Sequence, residues 1–325
     1  MMEEKNNFRA TWITWESQVR NRSLSHAIGA ELFELTGPRS RWLKYPALLV
    51  RTSVILLATR NKTVIVQNPS LVLALFSNVF GRLIGKRVVI DSHNGGLFPL
   101  EGKYILLNWL AKLVLYSSEY TVVTNKALAR YVRKFSVKAI VVPDPLPNLQ
   151  PIVKSLSASV AKNIVFICTW AGDEPYVEVI KAAKMLPDNI HLHITGRYNN
   201  KYQEIKDILP KNVFLKGYLK DEDYLELLNL ADVIIDLTTR EHCLVCGAYE
   251  STALEKPMIL SDTFALREYF FQGAVFTDNT ADDIARKILF SLESCDDLIQ
   301  EVRELKKKIS VSWKEALSDF QSIIR

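Results

Sequence analysis

Gly247, Ala248 and Glu250 stand at the start of a predicted helix in the second half of the chain, between a buried strand and the Lys256-Pro257 pair that ends the helix. The first amides of a helix are free donors at the positive end of its dipole, and a glycine there lets a ligand approach closely. Free amides suit a phosphate, and the carboxylate of Glu250 suits two vicinal hydroxyls. The pattern therefore indicates a nucleotide site. The same residues also fit a plainer interpretation, in which Glu250 caps its own helix and Gly247 turns the chain.

A diphosphate ligand would need further donors and positive charge, and parallel sheets bind ligands at the carboxyl ends of their strands. The loop from Thr169 through Trp170 to Gly172 follows one predicted strand and offers amides ahead of a helix. Arg197 follows another strand and adds a fixed charge suited to bidentate phosphate contact. The chain has no Asp-x-Asp metal motif. We therefore expect amides and Arg197 to neutralise the phosphates, with no cofactor and no metal ion.

A resemblance to a known family begins with residues 230–262. Their order of strand, polar turn, Gly-Ala-x-Glu helix, Lys-Pro and strand resembles the donor-binding segment of GT-B glycosyltransferases, including those of bacterial polysaccharide assembly. The stretch Cys168–Glu174 (CTWAGDE) resembles the Thr-Ser-Trp-x-x-Asp-Glu segment of the eukaryotic β-mannosyltransferase that elongates chitobiosyl-diphosphodolichol. Lys216 and Tyr218 match the loop that flanks the nucleobase in this family, or form a plain strand-end turn. The resemblance implies a nucleotide-sugar donor and two Rossmann-like domains that face a central cleft.

Two features of the chain depart from the family pattern. Many retaining members have two glutamates eight positions apart in the donor segment, whereas Glu241 and Glu250 are nine apart, so which of them takes the family role stays open. Many relatives also use an arginine and a lysine soon after the first strand of the donor domain, where this chain has Asp173 and Glu174. The family roles therefore do not transfer simply to these positions.

Glycosyl transfer also requires that the acceptor hydroxyl lose its proton. His93 and Asp91 follow the predicted fourth strand, and histidine is the side chain best suited to base work at neutral pH. Glu16, after the first strand, is the rival base. A retaining enzyme of this fold uses no protein base of that kind, and in that case His93 only orients the donor sugar.

Other candidate ligands of a metal ion favour ordinary structural roles. Cys243 and Cys246 form a C-x-x-C pair but lack two further zinc ligands and the surroundings of a redox motif. His191 and His193 alternate on one face of a predicted strand, where packing or surface exposure is expected. The four cysteines suggest a reducing compartment, and the polar stretch Met1–Arg9 predicts no secretory signal.

The two halves of the chain differ in charge. Residues 1–150 contain 20 lysines and arginines against 9 aspartates and glutamates, and the remainder contains 21 against 27, so the halves carry +11 and −6. A basic half implies an anionic partner, for which we favour a membrane surface or a phosphorylated acceptor over nucleic acid. The apolar stretches Tyr45–Ala58 and Tyr104–Tyr116 are too short and too charged to span a bilayer. They fit either helices in the membrane interface or packing helices of the sheet.

Strands and helices alternate along the whole chain and predict an α/β fold with two doubly wound parallel sheets. The Pro-rich stretch Pro143–Asn148 is the expected linker. We predict an acceptor-binding domain over 1–148, a donor-binding domain over 149–310, and a final helix over 311–325 that packs back on the first domain, as the resemblance implies.

The sequence and this resemblance together predict a cytoplasmic, metal-independent glycosyltransferase of hexosyltransferase type, peripheral on the inner face of the membrane. Its donor would be a UDP- or GDP-sugar, and its acceptor a lipid-linked glycan or an oligosaccharide of surface polysaccharide or glycolipid synthesis. Two alternatives stay open at this point, a nucleotide-sugar 2-epimerase of the same fold and a catalytically silent, membrane-associated scaffold partner.

Overall fold

The computed structural model describes residues 8–38, 40–135, 137–151 and 161–324. It divides into two compact units, the first formed by Met1–Pro145 with Ser312–Arg325 and the second by Leu146–Val311. Each unit is built on a six-stranded sheet in which every strand pairing is parallel. The predicted α/β fold with two Rossmann-like domains is confirmed.

The first sheet has the strand order β2-β1-β3-β4-β5-β6. Its strands are β1 (Ala10–Thr14), β2 (Ala30–Glu34), β3 (Thr63–Asn68), β4 (Arg87–Ser92), β5 (Tyr120–Val123) and β6 (Lys138–Val141). Its helices are α1 (Val19–Ile28), α2 (Arg41–Ala58), α3 (Leu71–Leu83), α4 (Asn94–Leu97), α5 (Ile105–Ser117) and α6 (Lys126–Arg133), with a 3₁₀ turn at Pro99–Gly102. Because the strand order reverses between β1 and β3, their carboxyl ends border the switch point where such sheets bind ligands.

The second sheet has the order β12-β11-β10-β7-β8-β9. Its strands are β7 (Lys162–Phe166), β8 (Ile190–Thr195), β9 (Val213–Gly217), β10 (Val233–Asp236), β11 (Met258–Ser261) and β12 (Ala274–Thr277). Its helices are α7 (Tyr176–Ala183), α8 (Tyr202–Ile205), α9 (Asp221–Leu230), α10 (Cys246–Ala253), α11 (Phe264–Tyr269) and α12 (Ala281–Glu293), with a 3₁₀ turn at Lys206–Ile208. The last helix, α13 (Cys295–Ile324), contributes residues to both units. The switch point of this sheet lies between β7 and β10.

Alternation along the strands fills both faces of each sheet. In β1, Trp12 packs on one face with Phe320 of α13, and the next residue, Ile13, packs on the other face with Leu48 and Leu56 of α2. All five side chains are fully buried. Because successive side chains of a strand point to opposite faces, a parallel strand covered on both sides is apolar throughout. This is why the strands could be recognised as short apolar runs.

Several helices begin at residues that cap them, as the sequence predicts for Ser, Thr and Asn. Ser70 accepts a hydrogen bond from the Leu73 amide at the start of α3, and Asn125 accepts one from the Leu128 amide at the start of α6. Thr280 does the same for α12. These caps fix the points at which the chain leaves each strand-end loop.

The structure differs from the predicted elements near the C-terminus. The predicted final helix is only the last part of α13, which runs for 30 residues from Cys295. Val302, Leu305 and Ile309 form a buried stripe at helical spacing in its first half, and no glycine or proline interrupts it. Between β8 and β9 the chain forms only the one-turn α8 and a 3₁₀ turn, ahead of Pro210.

Candidate functional site

The start of α10 holds a carboxylate of the chain itself. Asp236, the last residue of β10, is buried, and its Oδ2 accepts a hydrogen bond of 2.7 Å from the Gly247 amide. A Cβ at position 247 would lie 2.6 Å from this oxygen and 2.6 Å from Cδ1 of Ile167. Gly247 therefore permits close packing inside the protein rather than the approach of a ligand, which corrects the expected role of this glycine. Ala248 beside it is fully buried.

Burial also determines the charge of Asp236. It raises the pKa of this carboxyl well above its usual value, and the nearby carboxylates Glu174, Glu250 and Asp173 raise it further, whereas the Gly247 amide opposes the shift. Three further carboxyl groups thus lie close enough to act on Asp236. An anionic ligand at this position would meet repulsion unless some of these groups were protonated or paired.

The loop after β7 is closed by its own glutamate. The Glu174 carboxylate accepts hydrogen bonds from the Thr169 amide at 2.9 and 3.1 Å, from the Thr169 hydroxyl at 2.8 Å and from the Ala171 amide at 2.9 Å. The amides that the sequence suggested for a diphosphate are therefore already engaged, with a carboxylate in the place of the phosphate. Gly172 is exposed, and nothing lies within 4 Å of a Cβ built on it.

Asp173 ties this loop to the one that follows β10. Its Oδ2 accepts a hydrogen bond of 2.7 Å from the Thr238 hydroxyl, its backbone carbonyl accepts one from the Thr239 amide, and its Oδ1 lies 3.2 Å from the Arg240 guanidinium. Asp173 and Glu174, which stand where many GT-B relatives have basic residues, thus hold the two strand-end loops in place.

Trp170 belongs to the core and does not face a ligand. It is 5 % exposed, packs with Tyr176 and Tyr198, and donates its indole N–H to the Thr195 carbonyl at 2.9 Å. A Cβ on Gly196 would lie 2.0 Å from the Cys168 carbonyl oxygen, so the loop after β8 can approach this loop only because residue 196 is glycine. The expected contact of Trp170 with the nucleotide is replaced by a structural role.

Glu250 lies one turn into α10, and its Oε2 accepts a hydrogen bond of 2.7 Å from the Tyr224 hydroxyl of α9. Burial raises the pKa of Glu250, and the hydrogen bond from Tyr224 opposes that shift. Burial and the Glu250 charge raise the pKa of Tyr224 in turn. Glu250 therefore does not cap its own helix. Glu241 is exposed, and the position eight before Glu250 is occupied by His242.

The other residues predicted to bind the donor fall into two places. Arg197 is exposed after β8, and its guanidinium stacks on the ring of Tyr218 at 4.8 Å. Tyr218 is 68 % exposed and lines a cavity of about 600 Å³ at the start of α9. Lys216 lies instead over Phe214, on the sheet face that also carries His193. The structure thus brings Arg197 and Tyr218 together and leaves Lys216 apart from them.

In the first unit, Asp91 and His93 lie together at the end of β4. Oδ2 of Asp91 is 3.2 Å from Nε2 of His93, whose side chain is partly exposed. Asp91 is fully buried and also forms an ion pair of 3.0 Å with Arg20 of α1. Burial would raise the pKa of Asp91, but Arg20 and His93 outweigh burial and hold it below its usual range. Asp91 is therefore an ionised partner of His93 and is not accessible to an acceptor.

Glu16 follows β1 as an exposed residue, and its carboxylate accepts a hydrogen bond from the Gln18 amide group. Gln18 in turn accepts one from Gln67 at the end of β3. Asn21 of α1 donates to both Thr14 and Gln67. This polar network occupies the switch point of the first sheet. The Glu16 side chain contacts Gln18, whereas the His93 side chain contacts Asp91. The two candidate bases therefore take part in separate contacts.

The cysteine and histidine candidates have local surroundings of their own. In the part of the chain that the structure describes, no group of three His, Cys, Asp or Glu side chains is placed to hold a metal ion. Burial, with Lys216 and His191 nearby, lowers the pKa of His193 to about 4, and its Nε2 lies 3.0 Å from the Asn163 side-chain oxygen. Burial raises the pKa of the Cys168 thiol.

Sequence reasoning missed four residues that organise these sites. Asp236 and Arg240 lie at the end of a strand and in the polar turn after it, and Tyr224 lies inside an ordinary helix, where no local pattern marks them as site residues. Arg20 had a weak signal, because a charged residue in the first turn of a helix is usually acidic. Its long-range partners could not be read from the sequence.

Comparison with known proteins agrees with this fold. Residues 158–308 match the family model described as glycosyl transferases group 1. A sucrose-phosphate synthase from Thermosynechococcus elongatus superposes with a TM-score of 0.76 at 12% identity, covering 96% of this chain and 98% of that chain.

Two further solved structures are similar over nearly the whole chain. HepE from Anabaena, solved with UDP and glucose, gives a TM-score of 0.71 at 11% identity, covering 96% of this chain and 100% of that chain. The lipopolysaccharide outer core galactosyltransferase WaaB gives 0.65 at 12% identity, covering 95% and 99%. At these identities the likeness shows the fold. The chain therefore has the GT-B fold, and its residues 158–308 match glycosyl transferases group 1.

Proposed function

We propose that this protein is a glycosyltransferase that moves a hexose from a UDP- or GDP-sugar to a lipid-linked glycan acceptor. The observation that carries the proposal is Glu250, held by Tyr224 one turn into α10 of the unit that matches the glycosyl transferases. A half-buried carboxylate at a helix start is a strong acceptor for a pair of ribose hydroxyls. The complex of HepE with UDP and glucose supports a nucleotide-sugar donor for this fold.

The donor diphosphate needs donors other than those expected from the sequence. The amides of Thr169, Ala171 and Gly247 already donate to carboxylates of the chain. Arg197 and Arg240 are exposed guanidinium groups on loops that adjoin the β7 loop. We place the diphosphate against these two arginines, because a planar guanidinium binds two phosphate oxygens at once and keeps its charge at any working pH.

We further propose that turnover needs no divalent metal ion, since fixed arginine charge can stabilise the leaving group. We expect the protein to turn over at the same rate with and without excess EDTA. Complete loss of activity with EDTA, and its recovery with added Mg²⁺ or Mn²⁺, would contradict this part of the proposal.

An exposed apolar surface supports a lipid-linked acceptor. It lies on α2, α3 and α5, which pack side by side in the first unit. We call it the apolar face; its exposed members include Trp42 (91 %), Ile105 (88 %), Leu83 (79 %), Tyr116 (67 %), Leu106 (66 %), Leu57 (64 %), Val50 (64 %) and Trp109 (55 %). Large apolar side chains exposed together on neighbouring helices are typical of interaction sites. Tryptophan and tyrosine are enriched at membrane–water interfaces.

Charge on the same helices favours an anionic membrane as the partner. Lys44 and Arg51 on α2, Arg82 on α3 and Lys112 on α5 are all exposed. Each basic residue near an anionic leaflet contributes about 1 kcal/mol, and the attraction fades over about 8 Å at physiological salt. No helix in the described ranges combines the length and apolar character that a membrane crossing requires. We therefore propose peripheral binding through the apolar face.

Vesicle flotation tests the membrane part of the proposal. Wild-type protein should float with anionic vesicles at low salt and less at high salt. Ile105→Asp should reduce flotation at both salt concentrations, because it places a charge in the apolar face. Phe271→Asp is the matched control, since Phe271 is an exposed aromatic residue of the second unit, at 52 %. Wild-type protein that ignores anionic vesicles at low salt would favour a soluble acceptor.

Donor turnover tests the reaction. A panel of UDP- and GDP-sugars is incubated with the protein, with and without lipid-linked glycan extracted from membranes. We expect one donor to be consumed faster with the extract and its sugar to appear on the lipid. A 2-epimer formed without any acceptor would identify an epimerase instead. Nucleotide binding without either product would identify a catalytically silent scaffold.

A further inference from the structure

A buried arginine joins the His93 site to the segment that follows β6. Arg20 is the second residue of α1 and is 6 % exposed. Its Nη2 donates to Oδ1 of Asp91 at 3.0 Å, and its Nε donates to Oδ2 of Asp91 at 3.3 Å. Its Nη1 donates to Oδ1 of Asp144 at 2.7 Å, and Nη2 also reaches the Val142 carbonyl at 2.9 Å. All three nitrogens of the guanidinium are therefore engaged.

This arrangement fixes the state of Asp91. A guanidinium that contacts both oxygens of a carboxylate sets the plane of that carboxylate as well as its charge. An ionised carboxylate only accepts hydrogen bonds, so the nitrogen of His93 that faces Asp91, Nε2, must carry a proton. The lone pair of neutral His93 is then on Nδ1, the nitrogen that does not face Asp91.

Asp144 adds a second anion to the same guanidinium. It is partly exposed, with 40% of its side chain accessible, and lies between Pro143 and Pro145. The Pro143 carbonyl accepts a hydrogen bond from the Trp313 indole at 3.2 Å, which ties this segment to the C-terminal half of α13. Arg20 thus binds this tied segment on one side and Asp91 on the other.

We propose that Arg20, anchored by Asp144, is a positioning residue that sets the tautomer of His93 through Asp91. His93 is kept with its proton on Nε2 and its lone pair on Nδ1, ready to accept the proton of an acceptor hydroxyl. The consequence for catalysis rests on the proposed glycosyl transfer and on its use of a protein base, as in an inverting enzyme, whereas the tautomer is a property of the protein alone. If Arg20 and Asp144 served stability only, substitutions that loosen their contacts would leave the tautomer of His93 unchanged.

The test is nitrogen-15 NMR of histidine-labelled full-length protein at neutral pH, with the His93 signals assigned by His93→Gln. The chain has only five histidines, so the spectrum is simple. Wild-type His93 should be the Nε2–H tautomer. Arg20→Lys keeps the positive charge but cannot contact both oxygens of Asp91 as the guanidinium does. Asp144→Asn keeps Arg20 but removes the charge of the group that anchors it. Both should convert a measurable fraction of His93 to Nδ1–H, the first more than the second.

Arg22→Lys is the matched control, because Arg22 is on the same helix and pairs with Glu34 on the surface. It should leave the tautomer unchanged. Where transfer can be assayed, kcat of Arg20→Lys should fall by roughly 10- to 100-fold with an unchanged KM, as part of the roughly 10²–10⁴-fold that a positioned base contributes.

Circular dichroism confirms that each variant is folded. An unchanged tautomer in both folded variants, or an Nδ1–H tautomer in the wild type, would overturn the inference. A changed tautomer with a wild-type kcat would also overturn it, since the tautomer of His93 would then have no effect on turnover. A changed tautomer in a protein without transferase activity would support the positioning by Arg20 and reject the proposed function instead.

Discussion

Asp91 and Asp236 are buried aspartates, one in each unit, and each lies at the carboxyl end of a central parallel strand. Asp91 faces a guanidinium, and its pKa is held below the usual value although burial opposes this. Asp236 faces a single backbone amide among other carboxylates, and burial raises its pKa. A buried aspartate at a strand end is thus kept charged in one unit and shifted toward the neutral form in the other.

The difference shows how strongly the partner of a buried strand-end carboxylate affects its charge. A buried charge is tolerated when an opposite charge and hydrogen bonds compensate its desolvation. Without a cation, the group shifts its pKa and becomes neutral instead. The first unit therefore holds a permanent ionic centre, while the second holds an acidic cluster that responds to pH.

The largest effect should come from removing the cation of the first unit. Arg20→Met leaves Asp91 buried without a charged partner, and breaking a buried ion pair in this way costs about 3–5 kcal/mol. Urea denaturation of the variant and the wild type measures the loss. Arg22→Met, which removes an exposed partner of Glu34, should cost far less. Equal losses in the two variants would mean that Arg20 is not special to Asp91.

A smaller effect should follow from filling the space at the start of α10. Gly247→Ala places a Cβ 2.6 Å from Asp236, so the packing must shift, which costs about 1–3 kcal/mol. Gly172→Ala serves as the control, because its Cβ would meet open space. Thermal or urea denaturation distinguishes them. A stable Gly247→Ala variant would show that Asp236 and the helix start are not in contact.

The smallest effect is a change in the slope of stability with pH. Because the folded state raises the pKa of Asp236, the folded protein binds its proton more tightly, and stability falls as pH rises above about 4. The slope from one such group is at most about 1.4 kcal/mol per pH unit. Asp236→Asn should remove it, so the stability of the variant relative to the wild type should rise with pH. Parallel stability curves for the two proteins would contradict the raised pKa.

Much of the fold could be predicted from the sequence, because local signals determine it. Apolar runs such as Val233–Ile235 indicate buried parallel strands, and a capping residue such as Ser70 or Thr280 indicates the start of a helix. The apolar residues Val302, Leu305 and Ile309 recur at helical spacing and indicate the first half of α13, which the helix predicted over 311–325 does not include. Helix and strand identity are therefore readable wherever side-chain period and capping agree.

The candidate sites were predictable only in part. The pairing of Asp91 with His93 follows from two positions on one strand end, but the bond between Arg20 and Asp91 joins residues 71 positions apart. The loop after β7 was expected to leave amides free, and only the folded geometry shows that Glu174 accepts from them. Which donor meets which acceptor depends on tertiary contacts that no local pattern encodes.

Calorimetric titration of UDP and GDP into wild-type protein and Glu250→Gln tests most directly whether Glu250 marks a nucleotide-sugar site. The wild type should bind one of the two nucleotides, and Glu250→Gln should weaken that binding by about 10- to 150-fold, the equivalent of about 1.5–3 kcal/mol for a hydrogen bond to a charged group. Glu241→Gln, which alters an exposed glutamate nearby, should keep the wild-type Kd. Equal affinity of wild type and Glu250→Gln, or no binding of either nucleotide, would contradict the account.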